Sequence, residues 1–117
     1  MIWFIEGNEQ LAKKAQTIIT DPANNIYISQ ASLWEMTIKI SIGKLSLSIS
    51  LSDLELFLSS NQFQILETKF RHYEILQCLP FHHQDPFDRL IIAQAKAEDY
   101  ILITNDARFK LYDVKLA

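Results

Sequence analysis

The stretch that decides the fold is residues 85–104, which read DPFDRLIIAQAKAEDYILIT. Its first part predicts a helix from Asp85 to Asp99, because an aspartate suited to cap a helix precedes a proline at the first helical position. Its last part, Tyr100 to Ile103, is a short apolar run that predicts a buried strand. A helix that leads directly into such a strand is typical of strand–helix–strand units, which build parallel sheets.

The rest of the chain repeats this alternation. Helices are predicted over residues 2–19, 31–42, from 50 or 52 onward, 70–79 and 107–111. Further strands are predicted over residues 26–29, 63–66 and 114–116, with residues 45–49 as a connector. We therefore expect a single α/β domain over residues 1–117, in which helices cover both faces of an open parallel sheet.

The composition indicates a compact protein of the reducing cytoplasm. Of 117 residues, 49% are hydrophobic and only two are glycine, which disfavours disorder and fibrous repeats. The single cysteine, Cys78, lies in an apolar run and is interpreted as a buried hydrophobe, so no disulfide is expected. The N-terminus shows no signal-peptide pattern, and no apolar stretch approaches the ~20 residues that span a bilayer. We expect no membrane partner.

The net charge of −3 argues against a protein that holds nucleic acid with a broad basic surface. Any contact with nucleic acid must therefore be local. The cations are spread along the chain, as Lys13, Lys14, Lys39, Lys44, Lys69, Arg71, Arg89, Arg108 and Lys110. These cations either form a rim around a site or lie on solvated helix faces. For any individual cation, a position on a solvated helix face is the favoured interpretation.

Acidic residues are expected to meet at the carboxyl ends of the predicted strands, where open parallel sheets bind ligands. Glu35 is carried by the helix after the first predicted strand, Asp88 by the helix before the third, and Asp106 follows that third strand. Carboxylates that converge repel one another unless a cation bridges them. Sites made only of oxygen ligands suit Mg²⁺ or Mn²⁺. Zinc is disfavoured, because the adjacent pair His82–His83 lacks a second pair of ligands and is interpreted as surface loop.

Each acid also has a purely structural interpretation. Ser32 and Glu35 have the spacing of a capping box, and Lys39 offers Glu35 an ion pair one turn along. Asp85 is expected to cap its helix, and Asp88 stands at the third helical position, where the helix dipole favours a negative charge. Asp106 is equally suited to cap the short helix that begins at residue 107. The residues alone leave these alternatives open.

Three stretches resemble the VapC-type toxins of the PIN-domain family: residues 26–45, residues 79–95 and residues 102–109, which read LITNDARF. The resemblance runs across essentially the whole chain. It implies that Glu35, Asp88 and Asp106 bind one or two divalent ions, Mg²⁺ or Mn²⁺, and cleave single-stranded or looped RNA, with Thr104 and Asp85 in support. It also implies a homodimer and a cognate antitoxin protein as partner.

One departure from that family concerns the beginning of the chain. Members open with a central strand that ends in an aspartate, and the first residues here resemble the segment after that aspartate. We therefore expect the chain to lack that strand and one metal-binding carboxylate, to be N-terminally truncated, and to cleave RNA slowly.

Two rival functions remain: a non-catalytic module that dimerises or binds antitoxin, and an acidic signalling domain, for which Asp106 has no evident partner lysine. Some of a set of apolar residues are expected at an interface, with core packing as the alternative: Trp3, Phe4, Ile5, Leu54, Phe57 and Leu58.

Overall fold

The computed structural model describes residues 2–3, 17–18, 21–46, 49–104 and 107–116. The strands among them are β1 (Ile2–Trp3), β2 (Tyr27–Ser29), β3 (Gln64–Leu66) and β4 (Leu102–Ile103). The α-helices whose bounds lie in these ranges are α1 (Gln30–Ser41), α2 (Leu51–Ser60), α3 (Phe70–Leu76) and α4 (Pro86–Glu98), and a 3₁₀ helix covers Ala107–Leu111. Helices and strands thus alternate, as the sequence predicts.

The four strands form one parallel sheet in the order β3-β2-β1-β4. Ile2 is in register with Tyr27 on one side and with Leu102 on the other, so β1 is an inner strand. Leu116 adds an isolated parallel bridge to Leu102, which reduces the predicted last strand to a single contact. The predicted open parallel α/β fold is confirmed.

The beginning of the chain corrects two expectations. Ile2 and Trp3 are a strand and not the start of a helix, and an inner position of the sheet that the family resemblance left vacant is taken by β1. The physical reason is that β2 and β4 would otherwise face each other with unpaired backbone groups. The helical spacing that suggested a helix from Ile2 comes from later residues, and most of that predicted helix lies outside the described part of the chain.

Local signals place α1 and α2 within a residue or two of prediction. Ser29 caps α1 by accepting the backbone N–H of Ala31, and Gly43 follows its end with a positive φ of 77°. Ser50 caps α2 in the same way by accepting from Asp53. The helix α3 ends at Leu76, three residues earlier than predicted, and Cys78 beyond it is exposed, so its interpretation as a buried residue is wrong.

The core lies where α4 packs on the sheet. The buried cluster joins Ile91 and Ile92 of α4 to Leu102 of β4 and Phe109 of the 3₁₀ helix. This packing fixes the rotation of α4 and thereby the direction of its first-turn side chains. Within the described residues no helix is long and apolar enough to cross a membrane.

Candidate active site

The start of α4 builds the best-defined part of the candidate site. Asp85 caps the helix through its Oδ1, which accepts the backbone N–H groups of Phe87 at 2.9 Å and Asp88 at 3.1 Å. The predicted cap is therefore confirmed. Pro86 takes the first helical position, where a missing N–H costs nothing. Asp88 follows in the first turn, where the helix dipole favours a negative charge.

Asp88 is a buried carboxylate, only 5% exposed. Its Oδ2 lies 2.8 Å from Nε2 of His83, a residue that is itself 2% exposed. The Nδ1 of His83 accepts the backbone N–H of Asp85 at 3.2 Å, which fixes the orientation of the ring. The interpretation of His83 as a surface-loop residue is therefore wrong, whereas His82 beside it is exposed.

The loop that carries His83 is held in place by Arg89. The guanidinium donates to the carbonyl oxygens of Pro80 at 2.9 Å and of Leu79 and His83 at 3.3 Å. The hydroxyl of Tyr112 donates to the Pro80 carbonyl at 2.7 Å and accepts the His83 N–H at 2.8 Å. Arg89 is 7% exposed, so it is a buried structural cation and neither a rim residue nor part of a solvated helix face.

Sequence reasoning missed His83 and Arg89 as parts of the site. The sequence signal that could have indicated these two residues is their spacing from Asp88. His83 stands five positions before Asp88 and Arg89 stands directly after it. In the structure the loop that carries His83 contacts the start of α4. Hydropathy alone treats both as surface residues. The sequence cannot predict which backbone carbonyls accept hydrogen bonds from Arg89, because these contacts depend on the folded conformation of the loop.

Glu35 lies in α1, and its side chain is 16% exposed. The capping-box interpretation is wrong, because α1 is capped by Ser29 and Ser32 lies inside the helix. The ion pair with Lys39 is present, with 3.8 Å between Nζ and Oε1. At that distance, with Lys39 half exposed, the pair contributes little to stability. Glu35 is positioned by α1, which begins at the carboxyl end of β2.

The remaining predicted residues follow β4. Thr104 is half-buried directly after the strand, and Asp106 lies outside the described residues, so neither its capping role nor its ligand role is tested. Across the described residues no three His, Cys, Asp or Glu side chains form a group that could hold a metal ion. The carboxylates of Glu35 and Asp88 nevertheless fit a hard divalent cation by donor chemistry, since both offer oxygen.

Comparisons with known proteins agree with this architecture. A model of the PIN domain matches residues 1–115 of the chain. Among solved structures, the chain is similar to one in "Crystal structure of VapBC2 from Rickettsia felis bound to a DNA fragment from their promoter". The TM-score is 0.65 at 22% sequence identity, over 100% of this chain and 98% of that chain. No curated protein matches the sequence.

Proposed function

The chain belongs to the PIN-domain family, and we propose that it is a Mg²⁺- or Mn²⁺-dependent endoribonuclease, the VapC-type toxin of a toxin–antitoxin pair. PIN domains are generally nucleases, and the fold shared with the VapBC2 structure supports the narrower assignment. The observation that carries the proposal is Asp88, a buried carboxylate placed in the first turn of α4. RNA in the cytoplasm is the proposed substrate.

The proposed ligands are Asp88, Glu35 and Asp106. Asp88 is held by its helix and by His83, while Glu35 is carried at a half-buried position of α1. Asp106 follows β4 by three residues in the sequence and completes the set by its resemblance to the family's last acid. Thr104 and Asp85 support the site, the latter by capping α4.

A bound divalent ion would supply a nucleophile at neutral pH and neutralise charge on the phosphodiester. The chain's own part is to hold the acids in place before any ion arrives. The N-cap of α4 and the contact with His83 fix Asp88 without rearrangement. Clustered carboxylates raise the affinity for a cation, because an ion relieves their mutual repulsion.

The test replaces ligands without changing their shape. We expect Asp88→Asn, alone and combined with Asp106→Asn, to weaken Mn²⁺ binding and to slow RNA cleavage by at least about a hundredfold, since an ion contributes several kcal/mol to such reactions. Calorimetry measures the first effect and a labelled RNA assay the second. Asp53→Asn, in the first turn of α2, is the matched control and should change neither. Unchanged Mn²⁺ affinity in the double variant would exclude these ligands.

A non-catalytic module that dimerises or binds antitoxin is the second candidate. It is favoured by exposed apolar side chains on α2 and β3, where Leu51, Leu56, Phe57 and Ile65 are 46–63% exposed. Binding of the cognate antitoxin without Mn²⁺ binding or RNA cleavage would select this module. Mn²⁺ binding together with cleavage would select the nuclease.

A further inference from the structure

A cleft of about 350 Å³ is lined in part by α1 and α4, the helices that carry Glu35 and Asp88, and neither of these two acids lines it. Its size falls within the range of pockets that bind small-molecule groups, roughly 300–1,000 Å³. Residues of α1, α3, α4 and the loop after β3 line it: Gln30, Ala31, Trp34, Thr68, Tyr73 and Leu90. Gln30 directly follows β2 and Thr68 follows β3 by two residues. Part of the cleft wall therefore stands at the carboxyl edge of the sheet.

Two aromatic side chains that line the cleft are exposed to solvent. Trp34 is 61% exposed and Tyr73 is 51% exposed. The indole of Trp34 packs edge-on against Phe87, with 5.3 Å between ring centroids and an 82° angle between planes. Trp34 lies on α1, the helix that carries Glu35, and Phe87 lies on α4, the helix that carries Asp88. A rigid aromatic surface at that place is suited to stacking.

Two polar residues that line the cleft, Gln30 and Thr68, are held by a hydrogen bond between them. The backbone N–H of Thr68 donates to Oε1 of Gln30 at 3.1 Å, which fixes the carboxamide. The same amide carries an NH₂ group with two donors, and Thr68 adds a hydroxyl. Lys69, which follows Thr68, pairs with Glu67 at 3.5 Å and is not counted as part of the cleft. An apolar aromatic face with a few hydrogen-bonding groups beside it is the combination that unpaired nucleobases select.

We propose that this cleft is a subsite for one unpaired nucleobase of an RNA strand that crosses the candidate metal site. The base stacks on Trp34 and its edge meets Gln30. This inference rests on the proposed nuclease function. It gives a physical reason for the single-stranded substrate that the family resemblance implies, because a base held in a duplex stack cannot enter the cleft.

The test measures binding separately from cleavage. A fluorescent single-stranded RNA decamer is titrated in EDTA, so that no ion supports cleavage, and anisotropy reports the affinity. We expect Trp34→Ala to weaken binding at least about fivefold and Trp34→Phe to retain most of it, as for other base-stacking residues. Leu111→Ala removes an apolar side chain that is 58% exposed on the 3₁₀ helix and is the control, expected to bind as the parent does. A decamer that is abasic at every position should bind the parent and Trp34→Ala equally.

The outcomes separate this subsite from the nuclease proposal. Loss of binding in Trp34→Ala, without any RNA cleavage by the parent in Mn²⁺, would keep the subsite and remove the nuclease. RNA binding that is equal in the parent and Trp34→Ala would overturn the subsite even if cleavage is observed. Equal binding of duplex and single strand would also overturn it. So would sedimentation showing that Trp34→Ala dissociates a dimer, because a second copy would then occupy the cleft.

Discussion

The ring of His83 lies 2.8 Å from the proposed ligand Asp88, and the position of His83 is set by contacts with three other residues. The backbone N–H of His83 donates to the hydroxyl of Tyr112, and its backbone carbonyl accepts from Arg89. The ring nitrogen Nδ1 accepts the backbone N–H of Asp85. Groups that hold a metal ligand in this way are worth about 10–100-fold in metal affinity. His83 is therefore expected to act as a positioning residue.

The first prediction compares His83→Phe with His83→Gln. Phenylalanine removes the ring nitrogens, and we expect Mn²⁺ affinity to fall by about 10–100-fold. Glutamine restores an N–H donor near the former Nε2 and should recover a substantial part of that loss. Calorimetry with Mn²⁺ measures the effect, thermal unfolding monitors the fold, and the exposed neighbour serves as control in His82→Gln. If both His83 variants lose thermal stability yet bind Mn²⁺ as the parent does, the residue is structural only.

At the scale of elements, α3 is joined to the end of α4 through the carboxylate of Glu98. His72, fully buried, accepts the N–H of Lys69 at Nδ1 and places Nε2 2.8 Å from Oε1 of Glu98. Arg71 donates from Nε to the same oxygen at 2.7 Å. Burial raises the pKa of Glu98, but the hydrogen bonds from His72 and Arg71 outweigh it, so the net pKa lies below the usual 4.5.

The second prediction follows from the sign of that shift. A carboxyl whose pKa is lower in the folded state stabilises the fold above its unfolded pKa, and the contribution disappears as pH falls through the folded value. Glu98→Gln should therefore reduce the free energy of unfolding by about 1–2 kcal/mol at pH 7, the size expected for charged hydrogen bonds partly open to solvent. The difference should shrink below pH of about 4.5. Urea unfolding at pH 7 and 3.5 measures it, with Glu74→Gln as control; a difference independent of pH would contradict the assignment.

Elements with strong local signals were predictable, and those fixed by distant partners were not. Capping by Asp85 and the apolar run of β4 depend on neighbours in the chain, so α4 and β4 stand where the sequence predicts them. The burial of Arg89 depends on carbonyl groups of a loop whose conformation no local pattern encodes. The resemblance identified the family, but the placement of Asp106 remains a prediction because that residue lies outside the described part of the chain.

At the scale of the molecule, exposed apolar surface bears on association. Leu58 is 4% exposed and Phe57 is 53% exposed. The prediction that some of these apolar residues lie at an interface stays a prediction. Phe4 and Ile5 lie outside the described residues. Leu51 and Ile65, each nearly half exposed, line a smaller cleft of about 150 Å³ between α2 and β3. Because β3 is an edge strand, this surface is accessible to a second copy.

The third prediction is that this surface mediates the proposed homodimer. Leu51→Lys combined with Ile65→Lys should shift sedimentation at micromolar concentration toward the monomer, because each introduced charge occurs twice in a symmetric interface and is costly to bury. Leu111→Lys, at a residue 58% exposed outside that cleft, is the control and should sediment as the parent does. A parent protein that is monomeric over the whole concentration range would remove the proposal.

The last prediction concerns β1, which connects the two sides of the sheet. It pairs with β2 on one side and β4 on the other, so β2, which leads into the helix of Glu35, and β4, which precedes Asp106, are held in register through Ile2 and Trp3. An inner strand uses its N–H groups in the ladder, and proline has none. We expect Trp3→Pro to lower the free energy of unfolding by roughly 1–3 kcal/mol, the cost of one unpaired buried acceptor.

Loss of β1 pairing should also impair the proposed site. Because Glu35 and Asp106 are carried by elements on either side of β1, Trp3→Pro should weaken Mn²⁺ binding in the fraction of molecules that remains folded. Ser46→Pro, in the exposed connector between α1 and α2, is the control for a proline outside the sheet. Urea unfolding and Mn²⁺ calorimetry on both variants measure the two effects. If Trp3→Pro unfolds at the same urea concentration as the parent, the sheet does not depend on β1, and the alignment of β2 with β4 must be achieved in another way.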